Sequence, residues 1–221
     1  MATANSSSAK KLYMAVIALT SWFALILQFY IMLENAPANN IPLATTIINY
    51  FSFFTILTNI LVALTCTVPL LLPSSNAGKF FSRYSTQSGV ALFILIVGAI
   101  YSIALRHIWS PQGWQKVADM LLHDVVPVLF ILFWFIFVPK GVLQWKDAFP
   151  WLIYPFVYLI YSLIRGAFTD RYPYYFIDAK TLGYSKAFLN IAGISVAFLA
   201  AALLLIGINR LLARRSVSVQ S

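Results

Sequence analysis

Long apolar runs separated by short polar segments dominate the chain. Six runs follow one another, at residues 12–33, 43–72, 89–109, 117–138, 149–164 and 187–208. Apolar helices buried in a soluble core rarely exceed about 10–14 residues, whereas a membrane-spanning helix needs about 20. The pattern therefore predicts an all-α polytopic membrane helical bundle with six transmembrane helices, of which the fifth is short and contains Pro155.

The polar segments divide the chain into three parts. Residues 1–9 are small and polar and are predicted to be disordered. Residues 10–209 form the predicted six-helix transmembrane domain, and residues 210–221 form a basic tail. The longest loop between spans covers residues 166–186.

Composition agrees with the membrane interpretation. The chain is 61% hydrophobic and 10% charged, whereas a soluble domain has about 25% charged residues. The net charge of +9 could indicate a nucleic-acid partner, but the basic residues flank the apolar runs instead of forming one basic face. The expected partner is thus the lipid bilayer, with no nucleic acid.

Lysine and arginine are unequally shared between the two sides of the predicted bundle. The side that holds both termini has nine of these residues, and the other side has six. Cytoplasmic loops carry the excess of Lys and Arg, which predicts cytoplasmic N and C termini.

The sequence has no cluster typical of a metal or phosphate site. Its single cysteine, Cys66, lies among apolar residues and is predicted to be a small buried hydrophobic residue. We therefore expect no metal and no cofactor.

Polar residues within the second run are the first candidates for chemistry. At 100° per residue, Thr45, Asn49, Ser52 and Asn59 fall within about 60° of one another, with Thr55 beside them. In one continuous helix Thr55 would lie about 18 Å along the axis. Hydroxyls and amides of this kind also hold membrane helices together by hydrogen bonds, so packing is the alternative interpretation.

The fourth run opens with three ionisable residues, Asp119, His123 and Asp124. Asp119 and His123 are four residues apart, so they share a helix face and can hydrogen-bond. A histidine oriented by a carboxylate is the arrangement of a general base. A structural role near the membrane interface is the alternative for His123, and the predicted one for His107.

Three short stretches resemble the family of androgen-induced and androgen-dependent TFPI-regulating proteins, which are multi-pass membrane hydrolases. The stretches are FFTILTNILVAL (53–64), HDVVPVLFILFW (123–134) and RGAFTDRYPYYFIDAKTLGY (165–184). The nearest resemblance is to a bacterial six-helix branch, which implies a bacterial inner (plasma) membrane location. On the family pattern Thr55 matches the nucleophilic threonine, His123 the catalytic histidine, and Asp178 the acidic residue of the loop motif.

The resemblance implies hydrolysis of lipid esters, specifically fatty acid esters of hydroxy fatty acids, with a membrane lipid or fatty-acyl substrate. His123, oriented by Asp119 or Asp124, would activate Thr55, and Asn59 would donate to the oxyanion. Arg165 or Arg171 would hold a substrate carboxylate, unless they pair with nearby acids or snorkel to the interface.

The sequence is also compatible with two non-hydrolytic functions. The polar residues of the second run also suit a transporter or a protein that binds an amphiphile, although no repeat links the two halves. A b-type cytochrome would need His107 and His123 as axial ligands.

Overall fold

A computed structural model describes residues 2–218 of the chain. Every regular element within that range is helical. The α-helices are α1 (Ala2–Ala38), α2 (Leu43–Phe51), α3 (Phe54–Leu71), α4 (Asn76–Ser82), α5 (Tyr84–Ile100), α6 (Gly113–Met120), α7 (Val126–Phe137), α8 (Ala148–Thr169), α9 (Ala179–Leu182) and α10 (Tyr184–Ser218). A first π-helical turn (Tyr101–Leu105) follows α5, a second (Leu121–Val125) joins α6 to α7, and 3₁₀ turns cover Trp145–Asp147 and Tyr175–Ile177.

Six helical segments of the described chain are long and apolar enough to cross a membrane. They are Ser7–Ala38, Phe54–Leu71, Tyr84–Leu105, Gly113–Phe137, Trp145–Thr169 and Tyr184–Arg214. The predicted all-α class is thus confirmed, and the count of six apolar helices long enough to span agrees with the prediction and is compatible with a multi-pass membrane protein. The fifth segment, predicted to be short, has 25 residues and continues through Pro155.

The chain forms two compact units, one up to Pro139 and one from Lys140 onward. The first contains α1 to α7, and the second contains α8 to α10.

The second apolar run is not the single helix that the sequence predicted. Helix α2 ends at Phe51, and α3 starts at Phe54 after the extended residue Phe53. The hydroxyl of Tyr50 donates to the carbonyl of Leu25 at 2.8 Å and thereby ties the end of α2 to α1. Residues 50–55 contain no glycine or proline that would mark the break, and the proline of the run, Pro69, lies inside α3.

The break corrects two predictions about the polar residues. Thr45 and Asn49 belong to α2, whereas Asn59 belongs to α3, so they do not form a continuous stripe. Thr55 is the second residue of α3 instead of lying about 18 Å along a helix. It therefore lies at the end of its span, and the buried polar residues of α3 start there.

Helix α1 packs closely against α3 in the first unit. Ala24 and Ala63 are fully buried in a shared cluster with Leu25, Ile56 and Leu122. Small side chains allow helix backbones to approach, which is how membrane helices gain van der Waals contact. Cys66 is also fully buried, in agreement with its predicted apolar role.

The first and last helices extend beyond the apolar runs. Helix α1 starts at Ala2, within the segment 1–9 that the sequence predicts to be disordered. Helix α10 continues through Ser218 into the predicted tail, of which residues 219–221 lie outside the described range, as does Met1.

In the second unit, two close contacts fix the loops at either end of α8. The side-chain oxygen of Asn209 in α10 accepts from the backbone N–H of Gly141 at 2.9 Å and of Leu143 at 3.3 Å. A Cβ added to Gly166 would lie 2.1 Å from the ring of Tyr172, so the glycine lets that ring pack on α8.

Candidate functional site

Proline explains the distortion of the helix that carries His123. Pro127 lacks an N–H, and in a regular helix its ring would clash with the carbonyl four residues earlier, which belongs to His123. The chain instead forms the second π turn just before Pro127. Gly98 of α5 faces this point, since a Cβ there would lie 3.3 Å from the His123 carbonyl oxygen. Single π turns inside α-helices are often found at functional sites.

His123 is held by Asp119 and Tyr101. Its Nδ1 lies 3.0 Å from the carbonyl oxygen and 3.2 Å from the carboxylate Oδ1 of Asp119. The Tyr101 hydroxyl donates to the other carboxylate oxygen of Asp119, and the Tyr101 ring stacks on the imidazole at a centroid distance of 4.0 Å. Since Nδ1 faces two acceptors, it carries the proton, and Nε2 is the nitrogen able to accept one.

An ion pair lies on the solvent-accessible side of this cluster. Arg106, at the end of the first π turn, pairs with Asp124. Its guanidinium also lies 4.9 Å from the ring centroid of Tyr101, a distance suited to a cation–π contact. Asp124 thus neutralises Arg106, whereas Asp119 is the carboxylate that orients His123.

Asn59 joins α3 to the second π turn. Its side-chain amide donates to the carbonyl of Thr55 at 2.9 Å and to the carbonyl of Leu122 at 3.2 Å. These bonds occupy both amide hydrogens, so Asn59 positions the two elements instead of donating to an oxyanion as predicted. Thr55 lies one turn before Asn59 on α3. Through Asn59, this helix contacts Leu122, the residue before His123.

A groove of about 400 Å³ lies between α5 and α7, and we call it the α5–α7 groove. Most of its lining is aliphatic, and its three polar residues all belong to the end formed by the π turns. The lining residues are Leu95, Gly98, Ala99, Ser102, His123, Asp124, Pro127, Val128, Ile131 and Leu132.

A second opening of about 360 Å³ lies beside the first and shares Asp124 with it. We call it the polar cleft. Its lining combines two cations and two carboxylates with other polar residues and two apolar ones, Pro111 and Met120. The lining residues are Tyr101, Arg106, Trp109, Ser110, Pro111, Gln112, Lys116, Asp119, Met120 and Asp124.

The other three predicted site residues belong to the second unit. Arg165 donates from its guanidinium to the carbonyl of Arg171 at 2.8 Å, which ties α8 to the loop after it. Asp178 caps α9, accepting from the backbone of Lys180 and from the backbone and side chain of Thr181.

The acidity of Asp178 reflects this capping role. Desolvation acts to raise the pKa of the Asp178 carboxyl, but the hydrogen bonds from Thr181 and Lys180 outweigh it and hold that pKa below its usual value. These local contacts give Asp178 a structural function within its own unit.

The sequence pattern did not indicate that Tyr101 and Arg106 belong to the site. They lie five residues apart, as do Asp119 and Asp124. In a regular α-helix, residues five apart point about 140° away from each other. The spacing of Tyr101 and Arg106 therefore gave no reason to place these two residues together. The π turn alters that relation, because its hydrogen bonds join residues five apart, here the N–H of Arg106 to the carbonyl of Tyr101 at 2.8 Å.

The two histidines differ in their surroundings. His107 is exposed on the turn after the first π turn and lines neither the α5–α7 groove nor the polar cleft. His123 is largely covered, with 14% of its side chain exposed. Nothing in this arrangement favours a shared haem.

Comparison with known proteins gives no relative for this chain. No protein-family model, no curated protein and no solved structure matches it.

Proposed function

We propose that this chain is an integral membrane hydrolase of lipid esters, with Thr55 as nucleophile and His123 as general base. The proposal follows the resemblance to the androgen-induced and androgen-dependent TFPI-regulating proteins. It includes a fatty-acyl substrate and a bacterial inner membrane location, both taken from the resemblance, and cytoplasmic termini, which are predicted by the distribution of Lys and Arg.

The observation that carries the proposal is the contact of His123 with Asp119. A general base needs a fixed tautomer, and a carboxylate beside the opposite ring nitrogen provides one. Asp119 is 8% exposed and is itself fixed by Tyr101. Holding Tyr101, Asp119 and His123 in one arrangement costs side-chain conformational entropy, and the result is an imidazole with a fixed orientation.

The position of Thr55 gives further support. Thr55 is 8% exposed at the start of α3, and Asn59 links its carbonyl to the turn that carries His123. The start of a helix carries a partial positive charge, which favours negative charge developing nearby. The N-terminus of α3 can therefore stabilise an oxyanion. Asn59 does not have this role, because both of its amide hydrogens are already donated to backbone carbonyls.

The proposed reaction runs in two halves. His123 Nε2 accepts the proton of Thr55 Oγ1 while that oxygen bonds to the ester carbonyl carbon. The carbon–oxygen bond of the ester breaks, and the imidazolium returns the proton to the leaving alkoxide. A water molecule then attacks the acyl-threonine with His123 again as base, releasing the fatty acid and restoring the threonine hydroxyl.

Covalent labelling tests the nucleophile and the base separately. The purified protein in detergent should react with a fluorophosphonate probe, and Thr55→Ala should abolish the reaction. His123→Ala should slow it by about 10²–10⁴-fold, the contribution of a general base. Thr58→Ala, which removes a buried hydroxyl one turn further along α3, is the matched control and should retain labelling.

Two results would contradict the proposal. Labelling that persists in Thr55→Ala excludes this threonine as the nucleophile. An unchanged labelling rate in His123→Ala excludes the histidine as the base.

The α5–α7 groove supports a second candidate, a non-enzymatic transporter or amphiphile-binding protein. Its aliphatic walls and polar end suit an amphiphile whether or not a bond is broken. Uptake into proteoliposomes that is unchanged by combined loss of Thr55 and His123 would favour this function over hydrolysis.

A further inference from the structure

The α5–α7 groove and the polar cleft meet at Asp124 and differ in chemistry. The groove offers aliphatic walls from Leu95 to Leu132, and its polar end is formed by His123 and Asp124. The cleft on the other side of Asp124 holds two cations, Arg106 and Lys116. An apolar groove that opens beside two cations matches an amphiphile with an anionic head.

The charges within the cleft are not all available to a ligand. Asp119 is engaged by Tyr101 and His123, and Asp124 by Arg106. Lys116 is exposed and has no carboxylate within ion-pair distance among residues 2–218. Lys116 is therefore the cation for which the described residues supply no counter-charge.

Arg106 can contribute as well without leaving Asp124. A guanidinium has five N–H donors, so a carboxylate acceptor on one edge leaves donors elsewhere. Arg106 is 44% exposed at its side chain, which allows a ligand to reach those donors.

We infer that the groove and the cleft together bind a single-chain fatty carboxylate, with its chain in the α5–α7 groove and its carboxylate at Lys116 and Arg106. One groove between two helices accommodates one chain, which favours a fatty acid over a two-chain phospholipid. The inference rests on the proposed function in one respect. If the chain hydrolyses lipid esters, the carboxylate bound at Lys116 and Arg106 is the free carboxylate of the ester substrate. The inference replaces Arg165 and Arg171 as the residues for that carboxylate.

Binding measured without turnover tests the inference independently of hydrolysis. Thr55→Ala protein in nonionic detergent is titrated with radiolabelled palmitate and with palmityl alcohol, which has the same chain and no charge. Adding Lys116→Gln should weaken palmitate binding about threefold to fivefold, the effect of a partly exposed ion pair, and leave the alcohol unchanged. Lys79→Gln is the matched control, because Lys79 is an exposed lysine of the first unit in α4, before the start of α5.

Substitutions in the groove should have the opposite selectivity. Ala99→Trp fills the channel and should weaken palmitate and palmityl alcohol alike. Leu132→Ala removes part of the wall at a side chain that is 44% exposed, so it keeps the fold if the larger change does not, and it should also weaken both ligands. Thermal unfolding of each variant identifies any loss that comes from misfolding.

Several outcomes would overturn the inference. It fails if Lys116→Gln affects palmitate no more than Lys79→Gln does, or affects the alcohol equally. It also fails if phosphatidylglycerol displaces palmitate at an equal or lower concentration, since the site would then recognise a phospholipid. Charge-dependent palmitate binding without any fluorophosphonate labelling would refute the proposed hydrolase and support the carboxylate site. Labelling without charge-dependent binding would support the hydrolase and refute the carboxylate site.

Discussion

Removal of one hydroxyl, by Tyr101→Phe, tests whether Asp119 is fixed as the structure indicates. Phenylalanine keeps the ring that stacks on His123 at 4.0 Å and loses only the hydrogen bond to Asp119. Tyr101 is 5% exposed and Asp119 is 8% exposed, so water does not readily replace the lost donor. The substitution therefore removes only the hydrogen bond between Tyr101 and Asp119 and keeps the ring contact with His123.

The expected loss of stability can be bracketed. A hydrogen bond to a charged group contributes about 1.5–3 kcal/mol in soluble proteins, whereas polar contacts between membrane helices average about 0.6 kcal/mol. Asp119 keeps its contact with His123 Nδ1 at 3.2 Å, which moderates the effect. We expect Tyr101→Phe to lower the free energy of unfolding by about 1 kcal/mol.

A double-mutant cycle measures the bond itself. Unfolding in mixed micelles is compared for Tyr101→Phe, Asp119→Ala and the double variant, and the coupling free energy should be about 1 kcal/mol. Tyr84→Phe is the control, because Tyr84 also belongs to the α5 span and is 42% exposed. If the loss of this bond raises the activation free energy of the reaction at His123 by the same amount, about 1 kcal/mol, fluorophosphonate labelling of Tyr101→Phe should slow about fivefold.

The reasoning is refuted if Tyr101→Phe and Tyr84→Phe have the same stability within about 0.5 kcal/mol and the coupling vanishes. A stable Tyr101→Phe variant that labels at the rate of the parent protein would show that the tyrosine does not act through His123.

Two further predictions concern stability. A Cβ on Gly78 would lie 2.0 Å from the backbone oxygen of Leu72, so Gly78→Ala should destabilise the protein by about 2–3 kcal/mol in thermal or denaturant unfolding; Gly193→Ala, where a Cβ meets nothing within 4 Å, is the control and should be neutral or stabilising. Asp178→Ala removes the cap of α9 and should cost about 1 kcal/mol near neutral pH. Because the pKa of the Asp178 carboxyl is lowered on folding, its contribution is complete above its unfolded value of about 3.9 and is lost as pH falls through the folded value. A stability difference between parent and Asp178→Ala that does not shrink below about pH 4, or an unaffected Gly78→Ala, would contradict these assignments.

The sequence by itself determined the elements that depend on local composition. Apolar length predicted six spans, because a helix that crosses hydrocarbon must satisfy its backbone internally and present about 20 apolar residues. Four-residue spacing likewise predicted the contact of Asp119 with His123, which the structure contains. Pro127 also marked, within its own helix, a place where regular hydrogen bonding must fail.

Contacts between helices decided the rest. The break at Ser52 and Phe53 follows directly after Tyr50, whose hydroxyl bonds to Leu25 of another helix, and residues 50–55 contain no glycine or proline that would predict it. Tyr101 joined the site only because it packs against His123 across a helix interface. Asn59 changed from an expected oxyanion donor to a positioning residue because its amide reaches Leu122, a contact between residues 63 positions apart. Helical periodicity describes how residues of one helix relate to one another, whereas these outcomes depended on which helix lies beside which, and that is set by packing of the whole unit.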